Sequence, residues 1–529
     1  MTDTPDVRDL APLRPGDDLF IRVIVFAGGM TSIGTELSAS RLIAPFFGDS
    51  TFIWANVIGL TLTFLSIGYW FGGRIADRYP RLWLLYTLTA IAAAWCAILP
   101  FLARPILRLS LDAFSDLAVG AFYGSLLGVL LILSVPITLL GFVSPYAIRL
   151  QISRVSEAGN TSGNTYALGT IGSIAGSFLP VLVLIPWVGT TRTFLILGTL
   201  LFVPSVIGLL RLRAMPQLAF AGALAAVVGL VFITDNGGPV RPAQGGQLIY
   251  ETESQDNYIQ VIQDGSRVEL SLNDGHATHS IYDPTTQLTE GPWDYFMVGP
   301  LFNPLDTAAR IDNAMLIGLA GGTVSKQLTA AYGPIPIDGV EIDPEIVEVG
   351  RKYFDMNEPN LNVIVGDGRY VLRASDETYD LIGVDAYKQP YIPFQLTSQE
   401  FFQDVSAHLT TDGVAVINVG RTDTDYRLVD AISSTMKDVF PNVYVIDTAR
   451  YTNSIVIGTN SPTSLTNFAA SVDAQPDESM IRTVGEASLD SGNIREVIEV
   501  TTVFTDDHAP VERVVDQIIL DAAREEDEP

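Results

Sequence analysis

The chain has 529 residues, enough for two or three domains, and it combines a positive mean hydropathy with a net charge of −28. Residues 1–240 carry 14 basic and 12 acidic side chains, whereas residues 241–529 carry 17 and 47, so an apolar, nearly neutral half precedes an acidic one. That acidity argues against a nucleic-acid partner, since a phosphate backbone requires a basic face, and the single cysteine, Cys96, excludes an intrachain disulfide or a Cys-cluster metal site.

The N-terminal stretch 1–18 is polar and acidic and lacks the basic start and cleavage site of a signal peptide. From 19 to 234 the sequence reads as a membrane domain. A spanning helix needs about 20 mostly apolar residues. Candidates lie near 19–43, 51–72, 83–103, 117–146, 166–186, 192–212 and 217–234, seven in all, with Pro136 predicting a kink or an overrun in the fourth. An N-terminus inside the cell puts Arg8, Arg14, Arg74, Arg78, Arg81, Arg149, Arg154, Arg211 and Arg213 inside and Arg41, Arg104, Arg108, Arg192 and Arg241 outside, the arrangement that the positive-inside rule prefers. Within "TELSASRLIAPFFG" (35–48), Glu36 and Arg41 are charges close to membrane depth, read either as functional groups or as an interfacial pair capping the helix. Gly169, Gly172 and Gly176 stand at helical spacing and predict close helix packing.

Residues 235–246, rich in Gly and Pro, read as a linker. Residues 247–283 hold four short alternating runs separated by Asp-Gly turns, which predicts an antiparallel meander. His276 and His279 lie three apart there, but a strand points them to opposite faces, and no third ligand has suitable spacing. Beyond them, 284–529 alternates strand and helix and reads as an open parallel sheet with helices on both faces.

The chemistry falls at the strand ends. Gly318, Gly321 and Gly322 form a turn that lets a ligand approach the backbone at a helix N-terminus. Glu341 ends the next strand about 20 residues on, where an acid commonly takes ribose hydroxyls. Asp367 and Asp385 end the third and fourth strands, each readable alone as a helix cap or turn residue, but harder to dismiss in register. There is no long basic tract for a pyrophosphate, so a nucleoside without phosphates fits better than a dinucleotide.

These residues resemble the spermidine synthase family of aminopropyltransferases over about 247–460, through "ETES", "IGLAGGT", "VEIDPEIVEVGRKYF", "VGDGRYVL", "YDLIGVDAY" and "LTSQEFF". "GTELSASRLIAPFFG", "GYWFGGRIADR" and "TDDHAPVE" (505–512) resemble motifs of prokaryotic fusions that join such a domain to a multi-span membrane domain. The resemblance implies about seven membrane helices, the β meander, and a Rossmann-like, methyltransferase-type α/β domain. It implies transfer of an aminopropyl group from decarboxylated S-adenosylmethionine to an amine in polyamine synthesis, leaving methylthioadenosine and requiring no metal. Glu341, with Ile342, would hold the ribose, and Asp367, with Gly368, the adenine. Asp385 would be the catalytic base. Asn257 and Asp294 would lie toward the acceptor. The implied partners are an amine acceptor and membrane lipid, with homo-oligomerisation left open.

The departures from the family concern the amine. Its GGGDGG loop is "GLAGGT", with Gly321 in place of the Asp that helps hold the aminopropyl group. In its Asp-Ser-x-Asp-Pro loop, Lys388 stands where a carboxylate binds the diamine. A lysine there repels an ammonium by like charge, so it meets an acidic group on the acceptor or on uncleaved S-adenosylmethionine, or it points to solvent. Asp506 and Asp507 are candidates to supply the lost carboxylates, or simply to cap a helix. Two alternatives follow: an S-adenosylmethionine-dependent methyltransferase, or a polyamine transporter or sensor whose nucleoside domain only binds. Because the donor is made in the cytoplasm, a cytoplasmic acidic domain is expected, in conflict with seven spans and the arginine count.

Overall fold

The computed structural model describes residues 16–48, 51–114, 120–152, 158–235, 238–273, 275, 277–308, 310–388, 390–490 and 492–526. Two compact units result, 1–241 and 242–529, with the boundary inside the expected linker.

The first unit is helical: α1 Asp17–Phe47, α2 Thr51–Arg78, α3 Leu82–Phe114, α4 Gly120–Gly141, α5 Val143–Gln151, α6 Ala158–Leu179, α7 Ile185–Arg211 and α8 Met215–Thr234. A one-turn π-helical segment, Pro180–Leu184, joins α6 to α7. Among the described residues, six continuous stretches are long and apolar enough to cross a membrane. One of them, Ala158–Arg211, has 54 residues, about 81 Å at 1.5 Å per residue, against a hydrocarbon layer of about 30 Å. It is not one rod. Gly189 interrupts it at φ 79°, ψ 167°, a backbone conformation open essentially to glycine alone. The expected fifth and sixth spans are therefore its two arms. The fourth span runs on for 30 residues, Phe122–Gln151; Pro136 stays inside α4, and α5 follows after the single residue Phe142, itself at helical φ −65°, ψ −25°.

Small residues set the packing. A Cβ on Gly29 would lie 2.2 Å from the Gly169 carbonyl, one on Gly172 2.1 Å from that of Phe26, and one on Gly176 2.3 Å from that of Met30. The glycines read from the sequence therefore let α6 lie backbone to backbone on α1. Glu36, in the middle of α1, is half-buried and makes no ion pair with Arg41. Five residues apart on a helix, the two side chains point in different directions, so the expected capping pair is absent.

The second unit opens with the predicted meander, β1 Gln247–Glu253, β2 Tyr258–Asp264, β3 Arg267–Leu272 and β4 Thr278–Tyr282, paired antiparallel in that order. His279 lies on β4, where burial pushes its pKa down to about 4; His276 lies outside the described residues. After a 3-10 segment, Pro292–Phe302, come β5 Ala314–Ile317, α9 Thr323–Tyr332, β6 Ile337–Glu341, α10 Pro344–Tyr353, β7 Leu361–Val365, α11 Gly368–Ala374, β8 Tyr379–Val384, α12 Gln399–Ala407, β9 Leu409–Gly420 and α13 Arg427–Val439. The chain continues through β10 Asn442–Asp447, β11 Asn453–Thr459, α14 Leu465–Asp473, α15 Met480–Leu489, β12 Ile494–Glu496 and α16 Val511–Glu526.

The sheet order is β12-β10-β11-β9-β8-β5-β6-β7. Strands β5 to β9 pair parallel, as expected, but β11 pairs antiparallel with both β9 and β10, so the sheet is mixed where a wholly parallel one was predicted. The physical reason is a short connection. Only five residues separate β10 from β11, enough for a hairpin and too few for the crossover that a parallel neighbour needs. Both faces are buried, which explains the continuous apolar runs. Met315 and Ile317 pack with Phe401, Leu428 and Val515 on one face; Ala314 and Leu316 pack with Phe296, Leu328 and Phe468 on the other.

Candidate active site

In the order β8-β5-β6-β7 the chain turns one way from β5 to β6 and the other way to β8, so the carboxyl ends of these strands frame the crevice where open α/β sheets bind ligands. Register places Ile317 beside both Val340 and Val384, and Glu341 beside Val365. The strand-end acids Glu341, Asp367 and Asp385 therefore emerge along one edge.

The glycine turn is built into that edge. Gly318 has φ 88°, and a Cβ there would lie 2.5 Å from the Asp385 carbonyl oxygen; the Asp385 N–H donates in turn to the Ile317 carbonyl at 2.8 Å. Gly318 thus lets the β5 and β8 ends touch. The Ala320 N–H donates to Glu341 Oε2 at 2.9 Å and the Asp343 N–H to Oε1 at 3.1 Å. Glu341 is 6% exposed, and its burial, only partly offset by those two amides, pushes its pKa up to about 7. Ile342 is exposed beside it.

Asp367 caps α11 by accepting from the Tyr370 N–H at 2.9 Å, so the capping role is real; Gly368 follows where a Cβ would lie 2.3 Å from Ile317. Asp343 caps α10 and accepts from Ser254 and from Asn257 Nδ2 at 2.8 Å. Asn257 also accepts from Asn273, so it ties the meander to the end of β6 and is held there by protein groups on both ends of its amide.

Asp385 accepts from Asn418 Nδ2 at 2.9 Å and from the Trp293 side chain. Burial pushes its pKa up to about 6, and these two donors pull the other way by favouring the anion. Around it, the Tyr387 hydroxyl donates to the Asn418 carbonyl at 3.0 Å and accepts from the Gly420 N–H at 2.9 Å, and Asn453 donates to Asn418 Oδ1. Asn418, Trp293 and Tyr387 were not picked out from the sequence. Asn418 sits in the apolar run of β9, "VAVINVG", where a polar residue facing the β8 end was the available signal.

The expected acceptor residues are dispersed. Asp294 is 3% exposed and accepts from the N–H and hydroxyl of Thr289, the Glu290 N–H and Gln327, so it pins a loop in the interior and does not face the site. Lys388 is exposed and its backbone exchanges hydrogen bonds with Tyr391. Asp506 accepts two hydrogen bonds from Arg369, at 2.6 and 3.0 Å, and one from Ser398 at 2.6 Å, and these hold its carboxyl below the usual range; Asp507 is exposed. Arg369, one residue beyond Gly368 on α11 and 7% exposed, also reaches Asp404. Asp506 therefore clamps the helix that Asp367 caps.

Two outcomes follow. Arg369→Ala should leave two carboxylates without their buried cation and cost about 2 kcal/mol after allowance for the exposure of Asp506, read as a lower thermal midpoint. Gly321→Asp should fail to restore a donor-amine carboxylate, because its Cβ would lie 2.9 Å from Ser280 and 3.0 Å from the Phe354 ring. Overpacking of this kind costs about 1–3 kcal/mol, and denaturant titration measures it.

The fold sets a glycine turn and three strand-end acids along one edge of a methyltransferase-type sheet. Residues 304–466 match the Spermine/spermidine synthase domain family. The probable polyamine aminopropyl transferase of Bifidobacterium longum is 34% identical over 297 residues, 52% of this chain and 65% of that protein. The polyamine aminopropyltransferase of Vibrio vulnificus is 33% identical over 34% of this chain and 56% of that one, and that of Thermococcus kodakarensis is 33% identical over 37% of this chain and 70% of that one. A solved structure of a probable spermidine synthase from Corynebacterium glutamicum aligns at 21% identity and a TM-score of 0.37, over 46% of this chain and 95% of that one. The chain belongs to the polyamine aminopropyltransferase family; it spans 56–65% of the first two relatives' length.

Proposed function

We propose that the protein is an integral membrane aminopropyltransferase that takes its donor group from decarboxylated S-adenosylmethionine and releases methylthioadenosine. The observation that carries this reading is Asp385, fixed by Asn418 and Trp293 at the β8 end, in line with Glu341 and Asp367 on neighbouring strands. Glu341 takes the ribose hydroxyls, with Ile342 alongside; Asp367 and the backbone at Gly368 take the adenine amine, and the turn at Gly318, Gly321 and Gly322 admits the nucleoside to the backbone.

The amine nitrogen attacks the methylene carbon bound to sulfur, the C–S bond breaks, and its electron pair turns the sulfonium into a neutral thioether. The proton lost by nitrogen passes to Asp385. An amine has an ordinary pKa of about 10 and is protonated at neutral pH, so a base in hydrogen-bond reach is required. With a pKa of about 6, Asp385 is mostly ionised at pH 7 and fits that role. The sulfonium is already a good leaving group, and positioning supplies much of the rest.

Lys388 and Gly321 bear on the substrates. Without a carboxylate at Lys388 the usual diamine contact is missing, which favours an acceptor other than a simple diamine, and without one at Gly321 the donor's aminopropyl contact is missing, which favours methyl transfer as the second reading. The test is to give the full-length protein each donor with a panel of amines. Methylthioadenosine is the expected product; S-adenosylhomocysteine would replace the reading by methyl transfer, and neither product with intact nucleoside binding would leave only a binding domain.

A further inference from the structure

The helical unit contains a record of how many times the chain reverses, written in which residues meet. At one end of the bundle, Gln151 donates to Asp18 at 2.7 Å, Arg211 pairs with Asp17 at 3.7 Å, Arg149 pairs with Asp77 at 2.9 Å and Thr165 donates to Gln151 at 3.0 Å. The start of α1, the end of α2, the end of α5, the start of α6 and the end of α7 therefore lie together. At the other end, Gly124 packs against Phe47 and the Ser110 carbonyl, Asn56 donates to the Phe122 carbonyl, Arg104 pairs with Asp235, and Arg108 donates to the carbonyls of Pro239 and Val240. That groups the end of α1, the start of α2, the end of α3, the start of α4 and the exit from α8.

The 54-residue stretch is the deciding case. Along α6, the contacts run upward with α1: Gly169 with Gly29, Gly176 with Met30, Pro180 with Gly34. Along α7 they run downward. The Leu197 carbonyl accepts from Thr31, and Arg211 meets Asp17. On α3, Gly198 lies on Ala93, Ser205 bonds Thr89 at 2.7 Å, and Gly208 packs on Tyr86. The chain turns back at Gly189, so this stretch crosses twice. Seven crossings result, alternating in direction, and the entrance at Asp17 and the exit at Asp235 stand at opposite ends.

Sidedness follows from the arginines, the only basic residues in 1–241. The Asp17 end carries Arg22, Arg74, Arg78, Arg81, Arg149, Arg211 and Arg213, with Arg8, Arg14 and Arg154 in the adjoining sequence; the Asp235 end carries Arg41, Arg104, Arg108, Arg192 and Arg241. Ten against five, in short loops where this bias operates, places the Asp17 end in the cytoplasm. The acidity of the following domain does not oppose this, since long domains translocate largely regardless of charge and acids contribute little to the rule.

We infer that residues 242–529 lie on the extracytoplasmic face, so the transferase site meets its amine outside the cell membrane and not in the cytoplasm. The inference rests on the helical unit and stands whatever group the site transfers. Its consequence is that a nucleoside donor assembled inside must be brought across before the reaction.

The test uses the full-length chain in intact cells, with Cys96 replaced by alanine and single cysteines introduced as Thr4→Cys, Asn160→Cys and Gln244→Cys. A membrane-impermeant maleimide should label the Gln244→Cys variant in intact cells and the other two only after permeabilisation. Labelling of Thr4→Cys with protection of Gln244→Cys would overturn the sidedness; the same exposure of both would overturn the seven crossings. As a second readout that needs no substitution, alkaline phosphatase fused after residue 529 should be active and green fluorescent protein dark, and the opposite pair would overturn the inference.

Discussion

Asp385→Asn is expected to lower kcat by about a thousandfold, within the 10²–10⁴ range of a positioned general base, while nucleoside affinity changes little. Asparagine keeps the shape and one acceptor oxygen for Asn418 Nδ2, so the site should remain assembled and only the proton acceptor be lost. The wild type should show kcat rising with pH through about 6, because the base must be ionised and burial has moved its pKa there. In the variant that limb should vanish. An unchanged rate, or a limb that persists at pH 6 in the variant, would move the base to another residue. Asn418→Ala separates positioning from chemistry: losing a donor that favours the anion should shift the limb to higher pH and reduce kcat less than Asp385→Asn does.

Glu341→Gln should weaken nucleoside binding by about 10- to 100-fold, the worth of hydrogen bonds to a charged acceptor, with kcat at saturation less affected. The same substitution has a signature in stability. The folded-state pKa of Glu341 is raised, to about 7 from an ordinary 4.5, so the folded protein holds a proton that the unfolded chain has released. That stabilisation is fully present below 4.5 and is lost as pH rises through 7, amounting to about 3 kcal/mol over the window. Chemical denaturation of the protein between pH 4.5 and 8 should lose this component in Glu341→Gln, and equal slopes for the two proteins would show that Glu341 is ionised in the fold.

Much of this edge was readable before the fold was known, because each element of it is local. Glycines at 318, 321 and 322 announce a turn that must admit close neighbours, and an acid after an apolar run announces a strand end. What could not be read is what depends on distant segments meeting. Asn418 lies 33 residues from Asp385, and only the pairing of β8 with β9 brings them together. Asp294 looks like a site carboxylate in sequence, yet four donors from Thr289, Glu290 and Gln327 enclose it. The antiparallel β11 was missed because an apolar strand carries no local mark of its direction. The apolar helices, in contrast, were legible, and Gly189 with the polar "TTR" after it split the hydropathy into two candidates where the structure has one 54-residue stretch, Ala158–Arg211.

The clamp between Arg369 and Asp506 has a consequence for how the protein is made. Every strand of the sheet precedes Asp506 in the chain, the last ending at Glu496, so the crevice at the strand ends can form before Asp506 is available. Its α11 wall then carries a buried guanidinium whose main partner arrives only ten residues later. Domains fold as they emerge, at roughly 5–20 residues per second, so this interval is brief in a complete chain and permanent in an interrupted one. A prematurely terminated product would bear a crevice without its last fastening, together with the uncovered seats of Phe504, Val511 and Val515, and would present to proteases and chaperones as unfinished.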